Sequence, residues 1–181
     1  MDFTGAPEIA LDGWTFRLRR GLPSTFTSEC ARAGTVEEFD MKSADGDFCF
    51  LSAQKVGADW ADLIVVQRFA PDVGGFDPGI AFLPETAILF IGAGRRILAY
   101  DLSGPTRMWE DDAEMGFWSW HVYPSVVLMS AELEFAAWDR TGRKLWTRFA
   151  EPPWTFKVID GTVQLDIMGT ETEFPLLTGP S

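Results

Sequence analysis

Ala99-Tyr100-Asp101-Leu102-Ser103-Gly104-Pro105-Thr106-Arg107-Met108-Trp109 and Ala137-Trp138-Asp139-Arg140-Thr141-Gly142-Arg143-Lys144-Leu145-Trp146 are two versions of one pattern. In each, an alanine, an aromatic residue and an aspartate lead through a Gly-containing turn into a strand that closes on tryptophan. The alanines lie 38 positions apart and the closing tryptophans 37, because the second copy lacks one residue of the first. With the apolar residues that precede them, the units run from Ile88 to Trp109 and from Val126 to Trp146. Each unit holds three short apolar runs separated by turn residues, which is the spacing of antiparallel strands and not of helices. The aspartate accepts backbone hydrogen bonds in the turn and the glycine supplies positive φ, so both turns are predicted to be tight. A third hairpin, Trp154 to Ile159 and Thr162 to Met168 about Asp160-Gly161, continues the array without the closing tryptophan.

This aromatic-Asp, Gly and Trp pattern resembles the blade repeat of propellers of the quinoprotein (PQQ) type. The resemblance covers residues 88–146 and implies a β-meander; it implies nothing about quinone chemistry. Closed propellers need four or more blades, and the chain has room for at most four units of this length. The expected architecture is therefore an all-β antiparallel meander, folded as a sandwich or as a small incomplete propeller, with little helix.

Outward from the repeats, the first half also reads as strands. Trp14 to Arg20 alternates Trp14, Phe16 and Leu18 with Thr15, Arg17 and Arg19, as a half-buried strand with a basic polar face does. Val36 to Ser43 and Asp47 to Lys55 flank Asp45-Gly46, which predicts a tight hairpin. Leu63 to Phe69 is a continuous apolar run suited to a central strand. Pro71, Gly74, Gly75, Pro78, Gly79 and Pro84 make 71–84 a loop between an N-terminal β half, 1–70, and a repeat-bearing half, 85–181, of one domain.

With 181 residues, 46% of them hydrophobic, eight Trp and fifteen Phe, the chain can bury a substantial core in spite of a formal charge of −12. That charge, with the basic residues dispersed, disfavours phosphate backbones and anionic lipid, so neither nucleic acid nor membrane is an expected partner. The same field favours a basic protein, chiefly through association rate. Met1 to Gly13 has neither a basic n-region nor an apolar h-region, and the longest apolar run, Ala87 to Gly94, is too short to span a bilayer. Cys30 and Cys49 have no metal or redox spacing and read as reduced thiols. These features together predict a cytoplasmic protein of bacterial type.

No catalytic motif is present. His121 is the single histidine and sits on the alternating stretch Phe117 to His121, where Trp118 and Trp120 are predicted on one face and Ser119 and His121 on the other. No Gly-x-Ser-x-Gly elbow accompanies it, and a lone histidine builds no multi-histidine metal site. Gly92-Ala93-Gly94 follows a strand, but Ile97 stands where a dinucleotide fingerprint needs glycine. Glu110-Asp111-Asp112-Ala113-Glu114 lacks the ligand spacing of a calcium loop and reads as a solvated acidic loop. Neither a cofactor nor a metal is therefore expected.

The leading expectation is a non-catalytic protein-binding domain, of the kind a toxin-neutralising immunity protein provides. Glu110, Asp111, Asp112 and Glu114 would steer a basic partner, and Trp118, Trp120 and His121 would anchor it. The alternative is a small-molecule or carbohydrate-binding domain, or a hydrolase, with the same tryptophans as a platform and Glu132 and Glu134 as polar contacts. A third reading is an assembly protein that pairs through exposed strand edges.

Overall fold

A computed structural model describes residues 8–42, 45–70 and 76–180, which form sixteen strands and one short helix in four sheets. The first sheet contains β1 (Glu8–Leu11), β2 (Trp14–Arg20), β3 (Thr35–Phe39), β4 (Asp47–Lys55) and β5 (Leu63–Phe69), in the order β1-β2-β4-β5-β3, with helix α1 (Phe26–Cys30) before β3. The second contains β6 (Gly79–Leu83), β7 (Ile88–Ala93), β8 (Arg96–Asp101) and β9 (Thr106–Asp112). The third contains β10 (Phe117–Val122), β11 (Val126–Ala131), β12 (Glu134–Asp139) and β13 (Lys144–Phe149). The fourth contains β14 (Trp154–Ile159), β15 (Thr162–Ile167) and β16 (Thr170–Pro175). The last three sheets are plain meanders, each strand paired with its neighbour in sequence.

Both repeat units form the three strands their pattern predicts, and each gains a fourth, β6 or β10, on its leading edge. The turn chemistry differs between them. Asp139 Oδ1 accepts from the Thr141 and Arg143 backbone N–H groups at 2.9 and 3.0 Å, and Gly142 has φ +81°. Among the described residues Asp101 Oδ1 accepts from Ser103 N–H alone, and Gly104, in a turn one residue longer, stays out of the left-handed region.

Two expectations are corrected. The strand β6 lies inside the predicted loop 71–84, of which residues 71–75 fall outside the described residues. Asp45-Gly46 does not join a hairpin: β4 has β2 on one edge and β5 on the other, so β3 takes the free edge of β5 and runs parallel to it, from Thr35 beside Leu63 to Phe39 beside Gln67. The chain between β3 and β5 runs through β4, and α1 lies on the excursion that carries it from β2 to β3. Ser43, the end of the predicted strand, is outside the described residues.

The sheets stack in chain order through three apolar layers. Phe16, Leu51 and Val65 of the first sheet meet Phe82, Leu89 and Tyr100 of the second. Phe90, Ile97 and Ala99 of the second meet Met129, Ala136 and Trp138 of the third. Val126, Phe135 and Trp146 of the third meet Trp154, Leu165 and Phe174 of the fourth. This is the incomplete-propeller form of the expected fold, one sheet after another, with no core cluster among the described residues joining the fourth sheet to the first. The ends are closed differently. Phe26 and Cys30 of α1, with Leu22, cover Phe50, Ile64 and Val66 on the outer face of the first sheet. The outer face of the fourth presents Thr155, Lys157, Gln164, Asp166, Glu171 and Glu173, a polar surface that suits a terminal unit.

Candidate functional site

The acidic run is not a loop over most of its length: Glu110, Asp111 and Asp112 belong to β9, paired with Leu98, Ile97 and Arg96 of β8. Glu110 accepts hydrogen bonds from Arg96 at 2.8 Å and Arg107 at 2.6 Å, and Arg96 also reaches Asp40 at the edge of the first sheet, at 2.7 Å. Asp111 takes Lys144 of the third sheet at 2.9 Å. Lys144 lies between Asp111 and Glu134, and although partial burial acts against its charge, those two carboxylates hold its pKa above the usual lysine range. Glu110 and Asp111 therefore link the second sheet to both neighbours, while Asp112 and Glu114 remain exposed.

Glu132 and Glu134 do not form a carboxylate pair. Glu132 lies in the turn before β12, and Glu134 is buried at the sheet boundary with both oxygens engaged. Its Oε1 accepts from Thr147 Oγ1 at 2.7 Å and Lys144 Nζ at 3.2 Å, and its Oε2 accepts from Glu114 N–H at 3.1 Å.

Strand β10 departs from simple alternation. Its register against β11 shifts between Phe117 and Ser119, the mark of a bulge, so Trp118 turns to the face opposite Trp120. Trp120 packs against Phe90, Phe117 and Trp138 of the layer between the second and third sheets. Trp118 stacks on Trp154 of the fourth sheet, with centroids 5.4 Å apart, and meets Phe76 at 5.1 Å. The predicted pairing of Trp118 with Trp120 on one face is thus corrected, and both indoles are half-buried in packing contacts. Among the described residues neither indole N–H finds an acceptor, a cost of roughly 1–3 kcal/mol each. Several ring contacts at about 0.5–1.5 kcal/mol apiece offset it.

His121 shares the face of Trp118. Its Nε2 lies 2.8 Å from Ser119 Oγ and 3.1 Å from Ser130 Oγ, and its ring meets Phe156 edge-on at 5.0 Å. Burial lowers its pKa below the ordinary histidine value, so the folded chain prefers the neutral ring. A group with a folded pKa below its unfolded one must take up its proton on unfolding. Stability should accordingly hold steady above about pH 6.5 and fall as pH drops through that value. Urea denaturation between pH 5 and 7 should show this slope in the native chain and a flatter one in His121→Gln; equal slopes would remove His121 as the cause.

One end of the molecule gathers features that the sequence pattern left apart. In a meander alternate connections fall on the same end, and here they are tied together. Ala113 N–H donates to Arg95 O at 2.6 Å and Phe117 N–H to Gly94 O at 2.7 Å. Glu132 N–H donates to Gly116 O at 3.0 Å, Leu133 N–H to Glu114 O at 3.2 Å, and Ala150 N–H to Leu133 O at 3.1 Å. Met168 N–H completes the series on Pro153 O at 2.9 Å. The resulting rim carries Asp112, Glu114, Glu132 and Glu151, with Arg95 as its basic residue and with Met115 44% and Met168 64% exposed. Glu151, Met115 and Met168 were not singled out by motif; their common position in alternate connections is the signal that places them together.

No protein-family model matches this sequence, and no curated protein matches it. Among solved structures, the chain is similar to BamB from Moraxella catarrhalis at 16% identity, with a TM-score of 0.45, 81% of this chain covered and 48% of that one. It is also similar to Hsv2 from Kluyveromyces lactis at 8% identity, with a TM-score of 0.31, 54% of this chain covered and 32% of that one. The chain spans about half the length of the first and a third of the second.

Proposed function

We propose that this chain is a non-catalytic protein-binding domain whose contact surface is the stitched acidic rim, and that its partner is a basic protein. The observation that carries the reading is the combination on that rim of fixed backbone, four carboxylates and two exposed methionines. Hydrogen-bonded turns lose little entropy on binding. Methionine side chains adapt to an apolar anchor. The carboxylates speed encounter with a positive surface and reject a negative one. Compared with the sequence-based expectation, Asp112 and Glu114 keep their steering role, whereas Glu110 and Asp111 serve the sheet boundaries. Occlusion of a basic toxin by an immunity protein is one instance of such chemistry.

The test compares two baits in lysate of the source organism: the native chain and a variant carrying Asp112→Lys, Glu114→Lys, Glu132→Lys and Glu151→Lys. The native bait should retain a basic protein at low salt and release it at high salt, and the variant should not retain it. Equal retention by both baits would overturn the rim as the contact surface.

A further inference from the structure

A cavity of about 330 Å³ opens on the opposite flank from the fourth sheet, between α1 and the turn that joins β4 to β5. Its walls include Arg17 and Gln54 from the first sheet, Glu29 and Arg32 from the helical segment, and Asp59 and Trp60 from the turn. Part of this lining is already committed. Arg17 donates to Ser52 Oγ at 3.0 Å and forms an ion pair with Glu29, which also accepts from Thr25. That network holds the Glu29 carboxyl below its usual range against partial desolvation, so it stays ionised and cancels Arg17. Gln54 Nε2 donates to Ala58 O at 2.5 Å, which fixes the amide and leaves its oxygen as an acceptor.

The remaining groups point to a ligand class. The Arg32 guanidinium lies 4.2 Å from the centre of the Trp60 ring, and that ring is nevertheless 45% exposed. A tryptophan displayed on a polar turn between Asp59 and Asp62 is not a core residue and is exposed at the cost of its apolar surface. Arg32 offers donors only, Asp59 acceptors only, and their charges cancel. A ligand seated there needs groups that donate and accept side by side, no net charge, and an apolar face for the indole. A sugar ring has all three: its hydroxyls do both, and its C–H bonds line one face. The volume is at the small end of the usual ~300–1,000 Å³ for ligand sites, which suits one ring and not an extended chain.

We propose that this cavity binds a single neutral pyranose, with Trp60 as the stacking platform and Asp59, Arg32 and Gln54 as its polar contacts. The site is remote from the acidic rim, so it stands or falls independently of the protein-binding reading.

The test is a titration of ¹⁵N-labelled full chain, following the indole N–H signal of Trp60 assigned through Trp60→Phe. The probes are methyl β-D-glucopyranoside, methyl α-D-mannopyranoside and N-acetyl-D-glucosamine, with D-glucuronate and L-glutamine as charged and zwitterionic controls. At least one neutral pyranoside should shift the Trp60 signal with a dissociation constant in the millimolar range, which is about −4 kcal/mol. Trp60→Ala and Asp59→Ala should each weaken that binding tenfold or more while the remaining spectrum keeps its dispersion. The proposal is overturned if no neutral pyranoside acts at about 100 mM, if only the controls bind, or if Trp60→Ala binds as the native chain does.

Discussion

Replacing Trp138 by alanine should remove about 3–5 kcal/mol of folding stability, as large-to-small changes of buried aromatics do. Trp138 is 1% exposed at the layer between the second and third sheets. It stacks on Trp109 at 5.6 Å and meets Trp120 at 5.5 Å and Phe90 at 6.5 Å, with the Lys144 ammonium 5.2 Å from its ring centre. Four elements, β7, β9, β10 and β13, thus lose a shared contact at once. Domains of this kind have about 5–15 kcal/mol in total, so the variant should unfold at a much lower urea midpoint with little change in slope. Val122→Ala, at an exposed position of β10, is the control and should stay within about 0.5 kcal/mol. A Trp138→Ala loss below about 1 kcal/mol would mean that the layer repacks freely, contrary to the crowded geometry described above.

Adding one methyl group at Gly92 should also be damaging, though less so. Gly79 and Gly92 face each other in the β6–β7 register, and the ring of Phe117 lies on the smooth patch they leave. A Cβ on Gly92 would overlap that ring, while one on Gly79 would meet it at 3.0 Å. Gly92 has no left-handed backbone, so its requirement is space alone. Gly92→Ala should cost about 1–3 kcal/mol by overpacking. The same change in a Phe117→Leu background should cost far less, because the obstructing ring is gone; simple additivity in the double-mutant cycle would refute the seat. Of the two glycines that superficially suggest a nucleotide loop, Gly92 admits the Phe117 ring and Gly94 takes φ +58° in the turn between β7 and β8.

The contrast between those two positions and the rest of the chain shows what the sequence carries. Turns written in adjacent residues, such as Asp139 to Arg143 and Asp160-Gly161, were legible because the donors, acceptors and backbone angles lie within five residues of one another. The aromatic closings at Trp109 and Trp146 were legible because strand period repeats them. Pairings that depend on distant partners were not. β3 pairs with β5 and not with its sequence neighbour β4, because β2 and β5 occupy both edges of β4. β6 was hidden by Pro78, Gly79 and Pro84, which punctuate its ends and admit Phe117 within it. The bulge at Phe117 to Ser119 reverses one tryptophan, a change of a single residue that alternation alone does not foresee. For the site, the charge of Glu110 and Asp111 was visible but their partners, Arg96, Arg107 and Lys144, stand on other strands. Composition announced acidity; only the fold separates the carboxylates that hold sheets together from those left to meet a partner.

An open row of sheets is held together differently from a ring. In a ring, cutting one interface leaves every blade attached by another path. Among the described residues no apolar cluster bypasses these interfaces, and the middle one, where Trp138 and the Gly79–Gly92 seat both sit, separates nine strands from seven. Its aromatic density, with Phe90, Trp109, Phe117, Trp120 and Trp138 in mutual contact, is placed where a break would be complete. Each terminal sheet borders one such layer and each central sheet two, and the layer between the third and fourth sheets is built in the same way, with Phe135 and Phe174 packed on Trp146 and Phe135 also on Trp154.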